Sequence, residues 1–306
     1  MPISSNLRAA LFMVIAMAGF TANDTIIKQL MVSMGLGQVM LIRGIFATAM
    51  IFILAWNRGA LARPRQLLHP TMALRAVCEM MSTVCFLGAL AHMPLANASA
   101  VLQALPLAVT MGAALFLGEQ VGWRRWLAIL FGFTGVMIIV QPGFDGFSVY
   151  SLLALGSVVF AAGRDLITRH IPGDVPSLLV STMTAMMVAL FGGVLTVVSG
   201  DWAPVSTGSL GLLLMTAVLL LVGYQFIIMS MREGDISFVA PFRYTALIWA
   251  LVLGYLVFGE VPGFAMIAGA SFIVLSGLYA LYREQVVGKG KPAAESTSPN
   301  MAPDGL

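Results

Sequence analysis

Ten runs of about 20 predominantly apolar residues divide the sequence, and these runs decide what kind of fold the chain can adopt. A helix of that length crosses the hydrocarbon core of a bilayer, so each run predicts one transmembrane span. Only 9% of the residues are charged, against about a quarter in soluble globular proteins. We therefore predict an all-α membrane protein with spans at residues 8–30, 38–56, 71–92, 96–118, 125–141, 147–169, 177–199, 209–231, 236–258 and 263–282.

The connections between the predicted spans are short and rich in turn residues, so they leave no room for a soluble domain. The first span begins near the N-terminus, as a secretory signal would. It leads directly into further apolar runs and lacks a small-residue cleavage site, so we expect it to be retained. Residues 286–306 differ, because they contain mostly Gly, Pro, Ser and charged residues, and we predict a disordered cytoplasmic tail there.

Basic residues are concentrated in alternate loops. If the N-terminus is cytoplasmic, Lys28 is essentially the only basic residue of the outer loops. The positive-inside rule then predicts a multi-pass inner-membrane protein with both termini in the cytoplasm. The net charge of +3 is too small and too scattered to suggest nucleic-acid binding. The basic residues of the inner side are Arg8, Arg58, Arg63, Arg65, Arg124, Arg125, Arg169, Arg232, Arg283, Lys289 and Lys291.

An internal repeat relates the two halves of the chain at an offset of 141 residues. The offset aligns Asp24 with Asp165 and Glu119 with Glu260, and acidic residues are rare enough here that chance is the weaker explanation. Each copy holds five spans, and an odd number inserts the second copy upside down relative to the first. We predict inverted five-helix repeats at 7–142 and 146–283. The offset also aligns Gly118 with Gly259, Gly122 with Gly263, Phe131 with Phe272 and Lys28 with Arg169.

Several short motifs resemble the EamA-type branch of the drug/metabolite transporter superfamily over residues 7–283. The resemblance implies a ten-span inner-membrane carrier whose central cavity is lined by spans three, four, eight and nine. The motifs of spans one and nine are most similar to those of carriers for riboflavin or S-adenosylmethionine. The motifs are Ala22-Asn23-Asp24, Arg43, Leu117-Gly118-Glu119, Trp123-Arg124-Arg125-Trp126 with Gly132, and Ala240-Pro241-Phe242-Arg243-Tyr244.

Ionisable residues at membrane depth usually face the protein interior, because each costs about 2.5 to 3.5 kcal/mol on insertion scales. Asp24 and Lys28 are four residues apart in the order that favours a helical ion pair, and Asp165 and Arg169 repeat this spacing. We expect each pair to neutralise itself near a helix end. The alternative is that these residues, with Arg43, form symmetric gates at the two membrane sides.

Arg243 is the first candidate for substrate contact. It follows Pro241, whose ring leaves a backbone carbonyl of span nine without its helical partner. Its guanidinium could hold a carboxylate or a phosphate, with Tyr244 beside it. An internal salt bridge from Arg243 to Asp165 or Glu79 is an equally weighted alternative.

Glu79 lies one turn after Arg75, so the two can pair on one face of span three. If Arg75 instead serves the membrane surface, Glu79 in a dry cavity could exchange protons as substrate moves, and proton coupling is a hypothesis.

Pro106 is expected to bend span four. An isolated polar residue in a transmembrane helix often forms only an interhelical hydrogen bond. Four such residues in the expected cavity-lining spans, taken together, nevertheless predict a site for a small, partly aromatic solute: Gln103, Tyr224, Gln225 and Trp249.

The sequence predicts a secondary transporter that moves a small organic metabolite by alternating access, with riboflavin as the leading substrate. Uptake of S-adenosylmethionine and export of amino acids or drugs are the alternatives within this class, and an intramembrane scaffold or sensor is the alternative outside it. We predict no enzymatic activity, no cofactor and no metal site, since the three histidines are separated. The expected partners are the small-molecule substrate and the lipid bilayer, and the chain fits a monomer or a homodimer equally.

Overall fold

The computed structural model of this 306-residue chain describes residues 5–59, 69–142, 148–171 and 175–287. Within these ranges every regular element is helical, and ten spans are long and apolar enough to cross a membrane, which confirms the predicted fold class. The spans of the first half are one (α1, Ser5–Leu30), two (α2, Leu36–Asn57), three (α3, Pro70–His92), four (α4, Leu95–Leu102, and α5, Leu105–Phe116) and five (α6, Trp123–Val140). The spans of the second half are six (α7, Val149–Thr168), seven (α8, Ser177–Ser199), eight (α9, Thr207–Glu233), nine (a 3₁₀ segment, Ala240–Tyr244, and α11, Thr245–Phe258) and ten (α12, Phe264–Val287). The single turn α10 (Ile236–Val239) precedes span nine.

Successive spans run in alternate directions, so their ends form two faces. We call the face where α1 begins the N-terminal face and the other the opposite face. Arg8 near the start of span one pairs with Glu233 at the end of span eight, with Nε and Oε2 2.5 Å apart. At the opposite face, the Gln38 side chain donates to the carbonyl of Ala203 at 2.7 Å. The predicted tail begins inside α12, and from residue 288 onward it lies outside the described residues.

The packing of the spans follows the repeat. Span one packs on span eight, and its repeat equivalent, span six, packs on span three. Spans two and seven, four and nine, and five and ten pack on their own equivalents. Phe131 and Phe272, which are repeat equivalents, stack on each other with ring centroids 4.3 Å apart. The two halves therefore pack on each other around a pseudo-symmetry axis, and the contact pattern is the one that two inverted repeats produce.

Small residues allow spans two and seven to approach closely at this axis. A Cβ built on Gly44 would lie 2.7 Å from the Cβ of Ala189, and one built on Gly37 would lie 2.8 Å from the carbonyl oxygen of Gly192. Lipid supplies no hydrophobic driving force between helices, so such close backbone packing is a main source of their association.

Two glycines end spans four and nine in the same way. Gly118 and Gly259 adopt φ angles of 68° and 67°, a left-handed conformation that favours glycine. After each of them, the backbone N–H of the next residue donates to a carbonyl six residues back, at 3.2 Å for Glu119 and 3.0 Å for Glu260. In both spans this bond satisfies a carbonyl of the last helical turns beyond a left-handed glycine. It places Glu119 at the N-terminal face and Glu260 at the opposite face.

Spans four and nine are interrupted about one repeat length apart. Span four breaks at Gln103, just before Pro106, so the predicted bend is confirmed. Span nine begins as a 3₁₀ segment that contains Pro241 and becomes α-helical at Thr245. The side chain of Gln103 donates to the carbonyl of Arg243 at 3.3 Å, so the two interruptions contact each other.

Candidate functional site

A cavity of about 140 Å³ lies between the two halves, among spans two, three, six, seven and eight. Its wall combines charged, hydroxyl and small apolar side chains. The charged residues are Arg43, Arg75, Glu79 and Arg164, the hydroxyl residues are Thr83, Ser181, Thr184 and Tyr224, and the others are Gly44, Ala47, Ile51, Ala185, Val188 and Leu220.

The cavity lies on the axis that relates the two halves. Five of its wall positions in the first half have their repeat equivalents on the same wall in the second half. Secondary transporters built from inverted repeats bind their substrates at such an interface, near the middle of the membrane. The five pairs of positions are 43 with 184, 44 with 185, 47 with 188, 79 with 220 and 83 with 224.

The side chains on this wall do not share the symmetry of the backbone. The equivalent of Arg43 is Thr184, and the equivalent of Glu79 is Leu220. The same helix packing therefore accepts an uncharged residue at both positions. Because the symmetry of the packing alone does not account for these charges, they are candidates for a role in binding.

Arg164 of span six connects two carboxylates. Its Nη1 donates to Oε2 of Glu79 at 2.6 Å, and its Nε donates to Oδ1 of Asp165 at 2.7 Å. The three side chains are 16%, 20% and 4% exposed, so the charges are largely removed from solvent. Sequence reasoning missed Arg164, although its position next to Asp165 at membrane depth was a signal that could have found it.

Arg75 of span three is 7% exposed and lies on the cavity wall. Its Nε donates to the hydroxyl of Thr168 at 3.0 Å, and its Nη1 donates to the hydroxyl of Thr184 at 2.8 Å. Arg75 and Glu79, which the sequence indicates can pair, interact electrostatically, but the hydrogen-bonded ion pair of Glu79 is with Arg164 on the neighbouring span. Arg75 therefore carries a buried charge whose hydrogen-bond partners, among the described residues, are two neutral hydroxyls.

Arg43 of span two reaches the same cavity from another wall. Within the described ranges it forms neither a hydrogen bond nor an ion pair, and the groups that act on it electrostatically are Asp24, Tyr224 and Glu79. Asp24 accepts a hydrogen bond from the adjacent Asn23 at 2.9 Å. Arg43 is thus a second cation at the cavity that has no ion-pair partner in the described part of the chain.

Two ion pairs join the two halves of the chain, one at each face of the bundle. Lys28 at the end of span one pairs with Glu260 at the opposite face. Arg169 at the end of span six pairs with Glu119 at the N-terminal face. Adding 141 to Lys28 and Glu119 gives Arg169 and Glu260, so the two ion pairs are repeat equivalents of each other.

These ion pairs correct the expected ones, which joined Asp24 with Lys28 and Asp165 with Arg169 within single helices. Both cationic side chains instead reach a glutamate beyond the end of another span. The expected pairs are wrong because tertiary packing brings that glutamate within reach, while Asp165 is already held by Arg164.

The two ion pairs differ in burial. The side chains of Lys28 and Glu260 are 13% and 19% exposed. Lys28 also donates to the carbonyl of Met93 at 2.6 Å, and Glu260 accepts the backbone N–H of Leu95 at 2.7 Å. In the other pair, the side chains of Arg169 and Glu119 are 26% and 51% exposed. The ion pair at the opposite face therefore belongs to a buried network, whereas its equivalent at the N-terminal face is more exposed.

Of the predicted substrate-binding residues, Glu79 and Tyr224 line the cavity, as does Arg43 of the predicted gating residues. Tyr224 also packs edge-to-face on Phe20, with ring centroids 5.1 Å apart. Asp165 stands behind the wall, bound to Arg164.

The other predicted binding residues do not line this cavity. Gln103 forms the interhelical bond described above, and Trp249 packs against an apolar cluster of spans one and eight. Tyr244 is buried, and its hydroxyl has no hydrogen-bond partner in the described part of the chain. Asp165 and Tyr244 are among the groups that act electrostatically on Arg243, and Gln225 is half-buried beside Tyr224. In the described ranges, no group of three or more His, Cys, Asp and Glu residues could hold a metal ion.

Comparison with known proteins gives one family and several related transporters. The model of the EamA-like transporter family matches residues 7–141 and again residues 148–282. The riboflavin transporter of Vibrio cholerae is 31% identical over 275 residues, which are 88% of this chain and 91% of the relative. The pseudopaline exporter of Pseudomonas aeruginosa is 29% identical over 87% of this chain and 93% of its own.

More distant comparisons agree with these. The S-adenosylmethionine uptake transporter of Rickettsia conorii is 23% identical over 89% of this chain and 91% of its own. A solved crystal structure with 16% sequence identity superposes with a TM-score of 0.60 over 91% of this chain and 98% of that chain. At this level of identity, the superposition shows a shared fold.

Proposed function

The chain belongs to the EamA-like transporter family, and from that premise we propose that it carries a small organic solute across a bacterial inner membrane by alternating access. The membership confirms the resemblance found in the sequence. Relatives at about 30% identity are named transporters, so the chain is a small-molecule transporter whose partners are its solute and the bilayer.

The observation that carries the alternating-access proposal is the set of two repeat-equivalent ion pairs at opposite faces. In inverted repeats, an exchange of conformation between the halves converts an inward-open into an outward-open state. That exchange would expose the pair of Lys28 and Glu260 and bury the pair of Arg169 and Glu119. The cavity on the axis would then open to each face in turn, and both ion pairs would act as gates.

The orientation is part of the proposal. The described basic residues near the ends of the spans lie at the N-terminal face, except Lys28. The positive-inside rule places this face in the cytoplasm. In the conformation described here, the buried network of Lys28 and Glu260 then closes the periplasmic side, and the solute reaches the cavity from the cytoplasm.

Riboflavin is the first solute to test, because it is the leading substrate predicted from the sequence. A relative at 31% identity is also named a riboflavin transporter. Uptake of S-adenosylmethionine is the second candidate, and an exporter among the relatives keeps export as an alternative. The residues predicted to hold a flavin, Arg243, Tyr244 and Gln225, do not line the described cavity. Support for riboflavin therefore comes from the relatives.

The test is a counterflow assay with the purified full chain in liposomes. The liposomes are loaded with an unlabelled solute, and entry of the same labelled solute from outside is measured, so neither the coupling ion nor the direction of transport needs to be known. We expect riboflavin, S-adenosylmethionine or an amino acid to exchange faster than in protein-free liposomes. Exchange of none of them, with the protein shown to be folded in the liposomes, would contradict the proposal.

A further inference from the structure

We propose that the central cavity binds the anionic group of its solute, a carboxylate or a phosphate, through Arg75 and Arg43. This inference rests on the proposed transport function and names the chemical class of the solute. Among the solutes proposed above it favours S-adenosylmethionine and amino acids, which carry a carboxylate, over riboflavin, which carries no anionic group.

The first argument is the distribution of charge on the cavity wall. Three arginines and one glutamate line the cavity. Arg164 already has two carboxylate partners, Glu79 and Asp165. Arg75 has two threonine hydroxyls, and Arg43 has no ion-pair partner in the described ranges. The carboxylates of Asp24, Glu79 and Asp165 act on these two arginines electrostatically without forming a hydrogen bond to either. Desolvated charges are stabilised by direct ionic and hydrogen-bonded partners, and a solute that brings a negative charge would supply them.

The second argument is the number of N–H donors that remain. A guanidinium has five N–H donors, and Arg75 uses its Nε and Nη1 for the two hydroxyls. Its Nη2 and the guanidinium of Arg43 have no hydrogen-bond partner among the described residues, and both side chains line the same cavity. Two guanidinium groups around one space match the oxygen geometry of a carboxylate or a phosphate.

The third argument is the symmetry of the scaffold. The repeat equivalents of Arg43 and Arg75 are Thr184 and Thr216, which carry no charge. Equivalent helix packing in the second half therefore forms without arginine at these positions. The symmetry of the packing alone therefore does not account for the two charges, which an anionic ligand would use.

The size of the cavity limits the rest of the solute. A volume of about 140 Å³ is close to that of cavities that hold benzene, and the wall beside the arginines is formed by small apolar residues such as Ala47, Ala185 and Val188. In this conformation the cavity therefore encloses an anionic group and the adjoining apolar part of the solute, which together have about the volume of one ring.

The test measures thermal unfolding of the purified full chain in detergent with four probes that share one ring. Benzoate and phenyl phosphate carry the two anionic groups, benzamide is neutral, and benzylamine is a cation. We expect benzoate or phenyl phosphate to raise the unfolding temperature, because a ligand that binds only the folded state stabilises it. The better of the two identifies the anionic group. Benzamide and benzylamine should have little effect.

Substitution of the arginines tests their role. Arg75→Gln and Arg43→Gln should each weaken binding of the better anion roughly 10- to 100-fold, which is the effect of losing a charged hydrogen-bond partner. Arg75→Lys should retain part of the affinity. Arg124→Gln, an exposed position away from the cavity, is the control and should bind as the wild type does. If Arg75→Gln does not fold, Arg43→Gln decides.

Equal stabilisation by benzamide, no stabilisation by either anion, or unchanged affinity in the Arg→Gln variants would overturn the inference. Its failure is distinguishable from failure of the transport function. Counterflow of a neutral solute at an unchanged rate in Arg75→Gln and Arg43→Gln would overturn the anion site and leave transport standing. Anion binding that depends on both arginines, without counterflow of any solute, would support the site and overturn transport.

Discussion

Glu79 lies among three arginines, since Arg164 donates to its carboxylate and Arg75 and Arg43 act on it electrostatically. A proton on Glu79 would remove one negative charge from the cavity and release donors of Arg164. An anionic solute and a proton would therefore bind more tightly together than separately. This linkage gives the hypothesis of proton coupling a physical route through the proposed site.

We expect Glu79→Gln to exchange solute in counterflow but to lose the stimulation of uptake by an imposed proton gradient. The substituted amide cannot take up or release the proton, so the gradient no longer drives the cycle. Uptake in vesicles with and without the gradient measures this. Glu233→Gln is a matched control, because Glu233 lies at the N-terminal face in a surface ion pair with Arg8. Stimulation of the Glu79→Gln variant at the wild-type level would refute coupling through Glu79.

The sequence identifies which charges are buried but not how they pair. Glu79, Asp165 and Arg43 all stand out as ionisable residues in apolar runs. Their partners, in contrast, belong to other spans, and the distance between spans is a property of packing. Lys28 illustrates the limit. Helical spacing predicts a pair with Asp24, four positions away, but the actual partner is Glu260, which lies 232 positions along the chain.

The glycine that ends span nine positions a gate residue. Gly259 has a φ of 67°, and Glu260, which follows it directly, forms the buried ion pair at the opposite face. A side chain in this left-handed conformation costs about 1 to 2 kcal/mol. The Gly-Glu motif is thus a helix end that also supplies a residue of the proposed gate, and Gly118 with Glu119 is its counterpart.

We therefore expect Gly259→Ala to lower the free energy of unfolding by about 1 to 2 kcal/mol. The control is Gly263→Ala, because a Cβ at Gly263 meets no atom within 4 Å and its φ is not positive. Chemical denaturation of the two variants in the same detergent compares them. Equal stability of Gly259→Ala and Gly263→Ala would show that the backbone conformation at position 259 is not strained by a side chain.

The interruptions of spans four and nine were only partly predictable. Pro106 and Pro241 mark both of them in the sequence, because proline removes a backbone N–H from the helix. The apolar run over 236–258 nevertheless predicts one continuous span, whereas its first α-helical turn is followed by the 3₁₀ segment Ala240–Tyr244. The contact between Gln103 and the carbonyl of Arg243 joins the two breaks, and no pattern in either segment alone contains that information.

The arrangement of the ten spans follows from the hydrophobic runs and the offset of 141, both of which are read from the sequence. The position of the cavity does not. The resemblance implied spans three, four, eight and nine, while the described cavity is lined by spans two, three, six, seven and eight. Short sequence motifs identify a family, but the space between helices depends on the conformation of the bundle.

Removal of each gate should shift the bundle in opposite directions. We expect Glu260→Gln to favour opening at the opposite face and Glu119→Gln to favour opening at the N-terminal face. A cysteine at Ala185 on the cavity wall, in a chain without Cys78 and Cys85, reports this through its labelling by an impermeant reagent added outside intact cells. Labelling should rise with Glu260→Gln and fall with Glu119→Gln.

The double variant Lys28→Glu, Glu260→Lys is the control for the gate experiment, because it exchanges the two charges and so restores an ion pair between the same positions. It should return labelling toward the wild-type level. A change in the same direction for Glu260→Gln and Glu119→Gln would contradict gates at opposite faces.

Membrane orientation is tested by the same chemistry at the surface. A cysteine at Asp201, exposed at the opposite face, should react with an impermeant maleimide in intact cells. A cysteine at Arg124, exposed at the N-terminal face, should react only after the cells are lysed. The reverse pattern would place the N-terminus outside and would invert the direction from which the solute enters the cavity.

The unequal burial of the two ion pairs has a thermodynamic meaning for the carrier. Two identical halves would give inward-open and outward-open states of equal energy, and an empty carrier would divide its time evenly between them. Here the two ion pairs differ, with lysine in one and arginine in the other, so under the proposed cycle we expect the resting population to be biased toward one side. Because these residues do not line the cavity, substitutions among them should retune the resting state without altering what the carrier recognises.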